Sequence, residues 1–125
     1  MAASHSIDVE PRGVVRYTLA GFFDQTSLAS LQAERAAKLP LLETPPNQHV
    51  TLCDVSQCAI QSQEVLAILR TMLADPRWQA RRLALVVGGA LARMQVRRVV
   101  PIMPNVRWFD DRPSAEAWLE EADPA

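Results

Sequence analysis

The chain has 125 residues, the usual size of one domain, and a formal net charge of -1. Its composition, 49% hydrophobic and 22% charged, is that of a globular protein, and its near-zero charge gives no general attraction to nucleic acid. The sequence lacks both an apolar run of the ~20 residues that a membrane span needs and a secretory signal. We therefore expect a single cytoplasmic domain over residues 1–125, with its core in about 6–121.

The first third of the chain predicts a β-hairpin followed by a helix. Two short strands, at residues 6–10 and 14–19, are separated by a turn that contains Pro and Gly. Asp24 is then placed to cap a helix that runs to about Lys38 and ends at Pro40.

The middle of the chain predicts a buried strand and an amphipathic helix. The strand, at residues 50–55, is almost continuously apolar, as in a sheet covered on both faces, and it ends near Asp54. Ser62 is placed to cap the helix, and Trp78 is expected to anchor the connector that follows it. The apolar face expected to pack on the sheet comprises Val65, Leu66, Leu69, Met72 and Leu73.

The last third predicts strand, helix, strand and helix. A strand at residues 83–87 leads through Gly88-Gly89 into a helix at residues 90–100. A strand at residues 106–109 is followed by a helix that either Asp110 or Asp111 caps. The complete order is β-β-α-β-α-β-α-β-α, which predicts an α/β fold with a mostly parallel five-stranded sheet, one antiparallel strand and helices packed against it.

The residue types that usually carry chemistry are sparse. Cys53 and Cys58 lack the second cysteine pair or clustered histidines of a tetrahedral metal site, so we expect no metal. His5 and His49 have no nucleophile near them in sequence. We therefore expect no catalytic residue, no cofactor and no enzymatic activity.

An anion site at the Gly-Gly turn is one alternative. The backbone N–H groups of Gly88 and Gly89 begin a helix, and Arg93 and Arg97 add positive charge within it. The residues after Gly89 match neither the dinucleotide fingerprint nor the phosphate-binding loop. The other interpretation is that these arginines are solvated helix residues.

Four segments together resemble the STAS or SpoIIAA-like family over roughly residues 6–121. They are Leu52-Cys-Asp-Val-Ser, Arg82-Leu-Ala-Leu-Val-Val, Ala92-Arg-Met-Gln-Val-Arg-Arg and Val106-Arg-Trp-Phe-Asp-Asp-Arg-Pro-Ser-Ala-Glu-Ala-Trp-Leu. The resemblance implies a small, non-enzymatic, bacterial regulatory domain that binds another protein. In the family's anti-sigma-factor antagonists, a partner kinase phosphorylates a serine at the start of the helix after the third strand.

Ser62 is the nearest equivalent of that serine. The family's Asp-Ser-Ser/Thr-Gly pattern is absent, because this chain reads Ile60-Gln-Ser-Gln-Glu-Val. The resemblance thus gives Ser62, with Asp54, as a candidate phospho-regulatory or partner-binding position. A plain helix cap is the alternative role of Ser62.

The second functional hypothesis is a carrier or sensor of a small apolar, lipid-like ligand, or a membrane-associated binding module. Related folds include lipid-binding domains, and Leu91, Met94 and Met103 make the third helix and its exit rich in flexible apolar side chains. A cleft lined by these side chains would favour the carrier, whereas a convex polar surface at Ser62 would favour the protein-interaction module. Either a monomer or a homodimer is compatible with the pattern.

Overall fold

A computed structural model of the chain describes residues 2–100 and 104–121. Within these ranges, short 3-10 turns occur at Leu39–Leu41 and Pro76–Trp78. The strands and helices, in chain order, are β1 (Ser4–Glu10), β2 (Val14–Gly21), α1 (Gln25–Lys38), β3 (Val50–Cys58), α2 (Gln63–Leu73), β4 (Arg82–Val86), α3 (Ala90–Val99), β5 (Val106–Phe109) and α4 (Arg112–Glu120).

The five strands form one sheet in the order β1-β2-β3-β4-β5. Strand β1 is antiparallel to β2, and every other neighbouring pair is parallel. The predicted α/β fold, with its order of elements and its single antiparallel strand, is therefore confirmed. No helix in the described part of the chain has the length and apolarity of a membrane span.

Helices cover both faces of the sheet, but unequally. On one face, Val15 and Leu19 of β2 pack with α1, and Leu85 of β4 packs with α2 and α3. On the other face, Leu52 of β3 and Val86 of β4 pack against α4 alone. Three helices therefore share one face of a narrow sheet, and the space among them forms the candidate site described below.

Strand β3 is longer than the sequence predicted, because it continues from Val50 to Cys58 and does not end at residue 55. Cys58, which lies beyond the predicted strand, is its last residue. The pairing with β2 shifts by one residue: Thr18 faces Asp54, but Ala20 faces Gln57. This extra residue in β3 reverses the alternation of side chains, so Cys53 and Cys58 lie on the same face of the sheet.

The predicted helix limits are largely confirmed. Asp24 forms a capping box with Ser27, and Ser62 accepts a hydrogen bond from the Val65 N–H at 3.2 Å. Of the two candidates for the last helix, Asp111 is the N-cap. Helix α3 ends at Val99, one residue earlier than predicted. Met103, predicted to carry part of an apolar ligand surface, lies outside the described residues.

An ion pair joins strand β2 of the sheet to helix α4. The Arg16 guanidinium on β2 holds both Glu116 carboxylate oxygens, with Nε–Oε1 and Nη2–Oε2 distances of 2.6 and 2.9 Å. Arg16 also contacts Glu10 on β1. The hydrogen bonds from Arg16 hold the Glu116 pKa below its usual value.

The Glu116→Gln substitution is expected to lower the free energy of unfolding at pH 7 by about 1 kcal/mol or less, because the pair is partly exposed and solvent screens it. A carboxylate with a lowered folded-state pKa stabilises the fold above its unfolded pKa of about 4.3, and this contribution disappears as the pH falls through the folded-state pKa. The difference between wild type and variant in urea unfolding should therefore shrink from pH 6 towards pH 2. Glu120→Gln, on the same helix, is the control; an equal loss at all pH values would contradict the assignment.

Candidate functional site

A cavity of about 470 Å³ lies between the sheet and helices α1, α2 and α3. Its volume falls within the range of roughly 300–1,000 Å³ that is typical of small-molecule sites. Strands β2, β3 and β4 supply the floor, which includes Tyr17, Leu19, Thr51, Cys53, Val55, Cys58, Leu83 and Leu85. The helices and connecting loops supply the rest of the wall, and the helix residues include Leu31, Arg35, Leu66, Leu69, Met72 and Val96.

Helix α2 is more deeply buried at its first turn than beyond it, where its side chains line the cavity. Val65 and Leu66 are buried, whereas Leu69 and Met72, one and two turns further on, are only partly buried. Leu73 is 37% exposed at the end of the helix. The predicted packing side of α2 is confirmed for Val65, Leu66, Leu69 and Met72, which pack in or against the core, but it is wrong for Leu73, which is exposed.

Arg35 is the charged side chain that links the cavity wall to its floor. Its Nε donates to the Tyr17 hydroxyl at 3.2 Å, and its Nη2 donates to the Met72 carbonyl oxygen at 2.8 Å. It thus connects β2, α1 and the end of α2. Sequence reasoning missed this residue, although Leu28, Leu31 and Arg35 have the spacing of one inward helix face.

The two cysteines in the cavity floor are poor nucleophiles. Burial raises the thiol pKa of Cys53 to about 12 and that of Cys58 to about 11. Both side chains are therefore neutral thiols at physiological pH, and they add to the apolar surface. His49 also lines the cavity, where burial lowers its pKa and favours the neutral ring. His5, on β1, pairs with Glu34 instead.

Gln61 organises one end of the cavity. Its Oε1 accepts from the Phe23 N–H at 2.8 Å, and its Nε2 donates to the carbonyl oxygens of Gly21 and Ala59 at 2.9 and 2.6 Å. Gln95 on α3 makes two further bonds, both 2.8 Å, to the Gln61 backbone N–H and carbonyl. Gln61 therefore holds together the end of β2, the β3–α2 loop and α3.

Large apolar side chains are exposed on the three segments that Gln61 and Gln95 hold together. Phe22 is 45% exposed, Ile60 51%, Leu91 72% and Met94 58%. Phe22 precedes Phe23, whose N–H bonds to Gln61, and Ile60 precedes Gln61 itself. Leu91 lies one helical turn before Gln95, which bonds to Gln61. We call Phe22, Ile60, Leu91 and Met94 the exposed apolar group. Leu91 and Met94, predicted as a ligand surface, do not line the cavity.

The other predicted binding residues are placed as follows. Ser62 is a half-buried N-cap next to Gln61. The Asp54 carboxylate accepts from the backbone N–H and the hydroxyl of Ser56, and it lies 3.7 Å from the Arg112 Nη1. Its interactions are therefore within its own strand and with α4, and they do not include Ser62.

The predicted anion-binding residues have other partners. Gly89 is the N-cap of α3, with a φ of 86°, and adjoins Gly88. Arg93 pairs with Asp110, and the Arg97 guanidinium lies 6.0 Å from the centre of the Trp108 ring. Among residues 2–100 and 104–121, no group of three or more His, Cys, Asp or Glu side chains is arranged to hold a metal ion.

Comparison of the structure with solved structures identifies the fold. An uncharacterized protein of the DUF3478 family with a SpoIIAA-like fold, from Shewanella loihica, is 16% identical, with a TM-score of 0.64 over 94% of this chain and 93% of that one. An anti-sigma factor antagonist from Mycobacterium paratuberculosis is 14% identical, with a TM-score of 0.60 over 96% of both chains. This chain has the SpoIIAA-like fold.

The likeness to these two structures is one of fold, because both identities are low. No protein-family model and no curated protein sequence matches the chain. Neither structural neighbour is described as an enzyme. The fold class and the family resemblance noted in the sequence are thus confirmed at the level of the SpoIIAA-like fold.

Gln61→Ala is expected to destabilise the protein by about 1–3 kcal/mol, because it removes the partner of the N–H of the buried Phe23; the Gly21 carbonyl keeps its bond from the Ala59 N–H. Gln57→Ala, in the neighbouring exposed part of β3, is the control and should change stability by less than about 0.5 kcal/mol. Urea unfolding checks both values. Equal effects of the two substitutions would show that Gln61 does not hold these segments together.

Proposed function

We propose that this chain is a non-enzymatic, cytoplasmic binding domain whose cavity between the sheet and α2 takes a small apolar ligand. The observation that supports this function is the cavity itself, which has the volume of a small-molecule site in a domain of only 125 residues. Unfilled apolar space of this size removes dispersion contacts from its lining and destabilises a fold. An apolar ligand would replace those contacts.

The wall of the cavity has the properties of an apolar binding site. Most of its side chains are aliphatic or aromatic, and Met72 and the two cysteines add polarizable sulfur. Trp78, predicted as an anchor of the connector, lines the cavity and is only partly buried. The neutral thiols offer no nucleophile. These features support storage, transport or sensing of a ligand rather than its conversion.

A regulatory interaction with another protein is the second candidate function. It is supported by the exposed apolar group and by the fold that this chain shares with an anti-sigma factor antagonist. These side chains lie on segments that Gln61 and Gln95 join, and an exposed apolar patch is typical of an interaction surface. Ser62 adjoins this surface through Gln61, and its regulatory phosphorylation remains a prediction.

The uncharged fluorophore N-phenyl-1-naphthylamine tests the cavity. We expect saturable binding of about one probe per chain, with an increase in fluorescence on transfer from water, and displacement by 1-dodecanol. Leu69→Trp fills the cavity from α2 and should weaken binding at least tenfold. Ala67→Trp places the same side chain on the exposed side of that helix and is the control. No binding, or equal binding by both variants, would refute a ligand site in the cavity.

A photo-crosslinking amino acid at position 91 tests the interaction surface in cells. We expect one discrete crosslinked product with another protein, and its loss when Met94→Asp is added, because a charge opposes burial of the surface. The same amino acid at position 67, on α2, is the control. A product of twice the chain's mass would identify a second copy as the occupant. The absence of any product, or an equal yield from position 67, would contradict a partner at this surface.

A further inference from the structure

The charge distribution of the cavity wall suggests what kind of ligand it takes. Two arginines, Arg35 and Arg70, are among the described residues that line the cavity, and no Asp or Glu is. Cationic groups within an otherwise apolar wall are complementary to a molecule that is apolar along its length and anionic at one end.

Arg35 is the better placed of the two arginines. Its side chain is only 14% exposed, whereas Arg70 is an exposed residue whose Nη2 donates to the Arg98 carbonyl. A guanidinium has five N–H donors. Arg35 uses its Nε–H to bind Tyr17 and one Nη2–H to bind the Met72 carbonyl. The Arg35 Nη1 lies 4.0 Å from the Asp75 carboxylate, which is too long for a hydrogen bond.

Asp75 does not compete strongly for Arg35. Arg77 holds both carboxylate oxygens of Asp75, at 3.2 Å from Nε and 2.9 Å from Nη2. These hydrogen bonds, with a smaller contribution from the nearby Arg35 charge, lower the Asp75 pKa to about 2, so Arg77 is the main partner of this carboxylate. Arg35 therefore shares Asp75 with Arg77, and its Nη1 makes no hydrogen bond to that carboxylate, although the guanidinium is largely shielded from water.

Tyr17 provides a second donor beside Arg35. Its hydroxyl oxygen accepts the Arg35 Nε–H, which leaves the hydroxyl proton for another acceptor. Burial raises the Tyr17 pKa, so the hydroxyl keeps that proton at neutral pH. A guanidinium and a phenol side by side can together donate to the two oxygens of one carboxylate.

On the proposed function that the cavity binds an apolar ligand, we infer that this ligand is a single-chain amphiphile with a carboxylate head group, as in a fatty acid. Arg35 and Tyr17 bind the carboxylate, and the chain extends over the apolar floor of β3 and β4 beneath α2. Cys53, Leu69 and Leu85 contact that chain. The site thus selects both for an apolar chain and for a negative charge at one end.

Dodecanoate and 1-dodecanol, which share one chain length, test this inference by competition against N-phenyl-1-naphthylamine at pH 7.5. We expect dodecanoate to bind the wild-type protein at least about tenfold more tightly, as for a hydrogen-bonded charge. Equal affinities would overturn the carboxylate site while leaving the cavity's function intact. Failure of both compounds to bind would instead refute the proposed function.

Substitutions locate the head-group site. Arg35→Met should remove the preference, measured within each variant as the ratio of dodecanoate to dodecanol affinity, and Arg35→Lys should retain part of it. Arg70→Met is the matched control and should retain all of it. If Arg35→Met does not fold, judged by circular dichroism, Tyr17→Phe serves instead and should reduce the preference several-fold. A preference that depends on Arg70 and not on Arg35 or Tyr17 would overturn the assignment.

Discussion

The architecture follows from one constraint, which is that the parallel strands are neighbours in space in the same order as in sequence. Connections of one handedness between successive strands place their helices on one face of the sheet. Helices α1, α2 and α3 therefore share that face, while α4 alone covers the other. With α1 near β1 and β2, and α3 near β4 and β5, the middle of the face depends on α2. Beyond its first turn, the side chains of α2 line the cavity.

The arginines on the two faces of the sheet, Arg16 and Arg35, have different kinds of partners. On the α4 face, Arg16 is paired with Glu116 and Glu10, so its charge is matched where helix and sheet meet. On the cavity face, the hydrogen bonds of Arg35 go to neutral groups, a tyrosine hydroxyl and a backbone carbonyl, and the Asp75 carboxylate lies 4.0 Å from its Nη1. An arginine whose hydrogen bonds go to neutral groups can still bind an anion, whereas one that is already paired with two carboxylates cannot do so as readily.

Local sequence patterns predicted the elements and their order because capping chemistry and hydrophobic period are local properties. Asp24 and Ser62 illustrate this, since each caps the predicted helix. Periodicity identified the inward side of α2 but not its distance from the sheet, so the cavity could not be predicted. The extra residue in β3, which brings Cys58 to the cavity face, depends on pairing with a distant strand. Likewise, flexible apolar composition in α3 suggested a ligand surface, but Leu91 and Met94 face outwards.

The cavity and the exposed apolar group are connected through the hydrogen bonds of Gln61 and Gln95. Helix α2 covers the cavity with side chains that are only partly buried or exposed beyond its first turn. The N-terminus of α2 follows directly from Gln61, whose side chain lines the cavity and bonds to the end of β2. Through Gln95, the same residue also fixes α3, which carries Leu91 and Met94. A ligand that shifts the start of α2 and breaks these bonds would separate the segments that carry the exposed apolar group. A ligand that leaves the bonds in place would leave that surface unchanged. The two candidate functions consequently meet at Gln61.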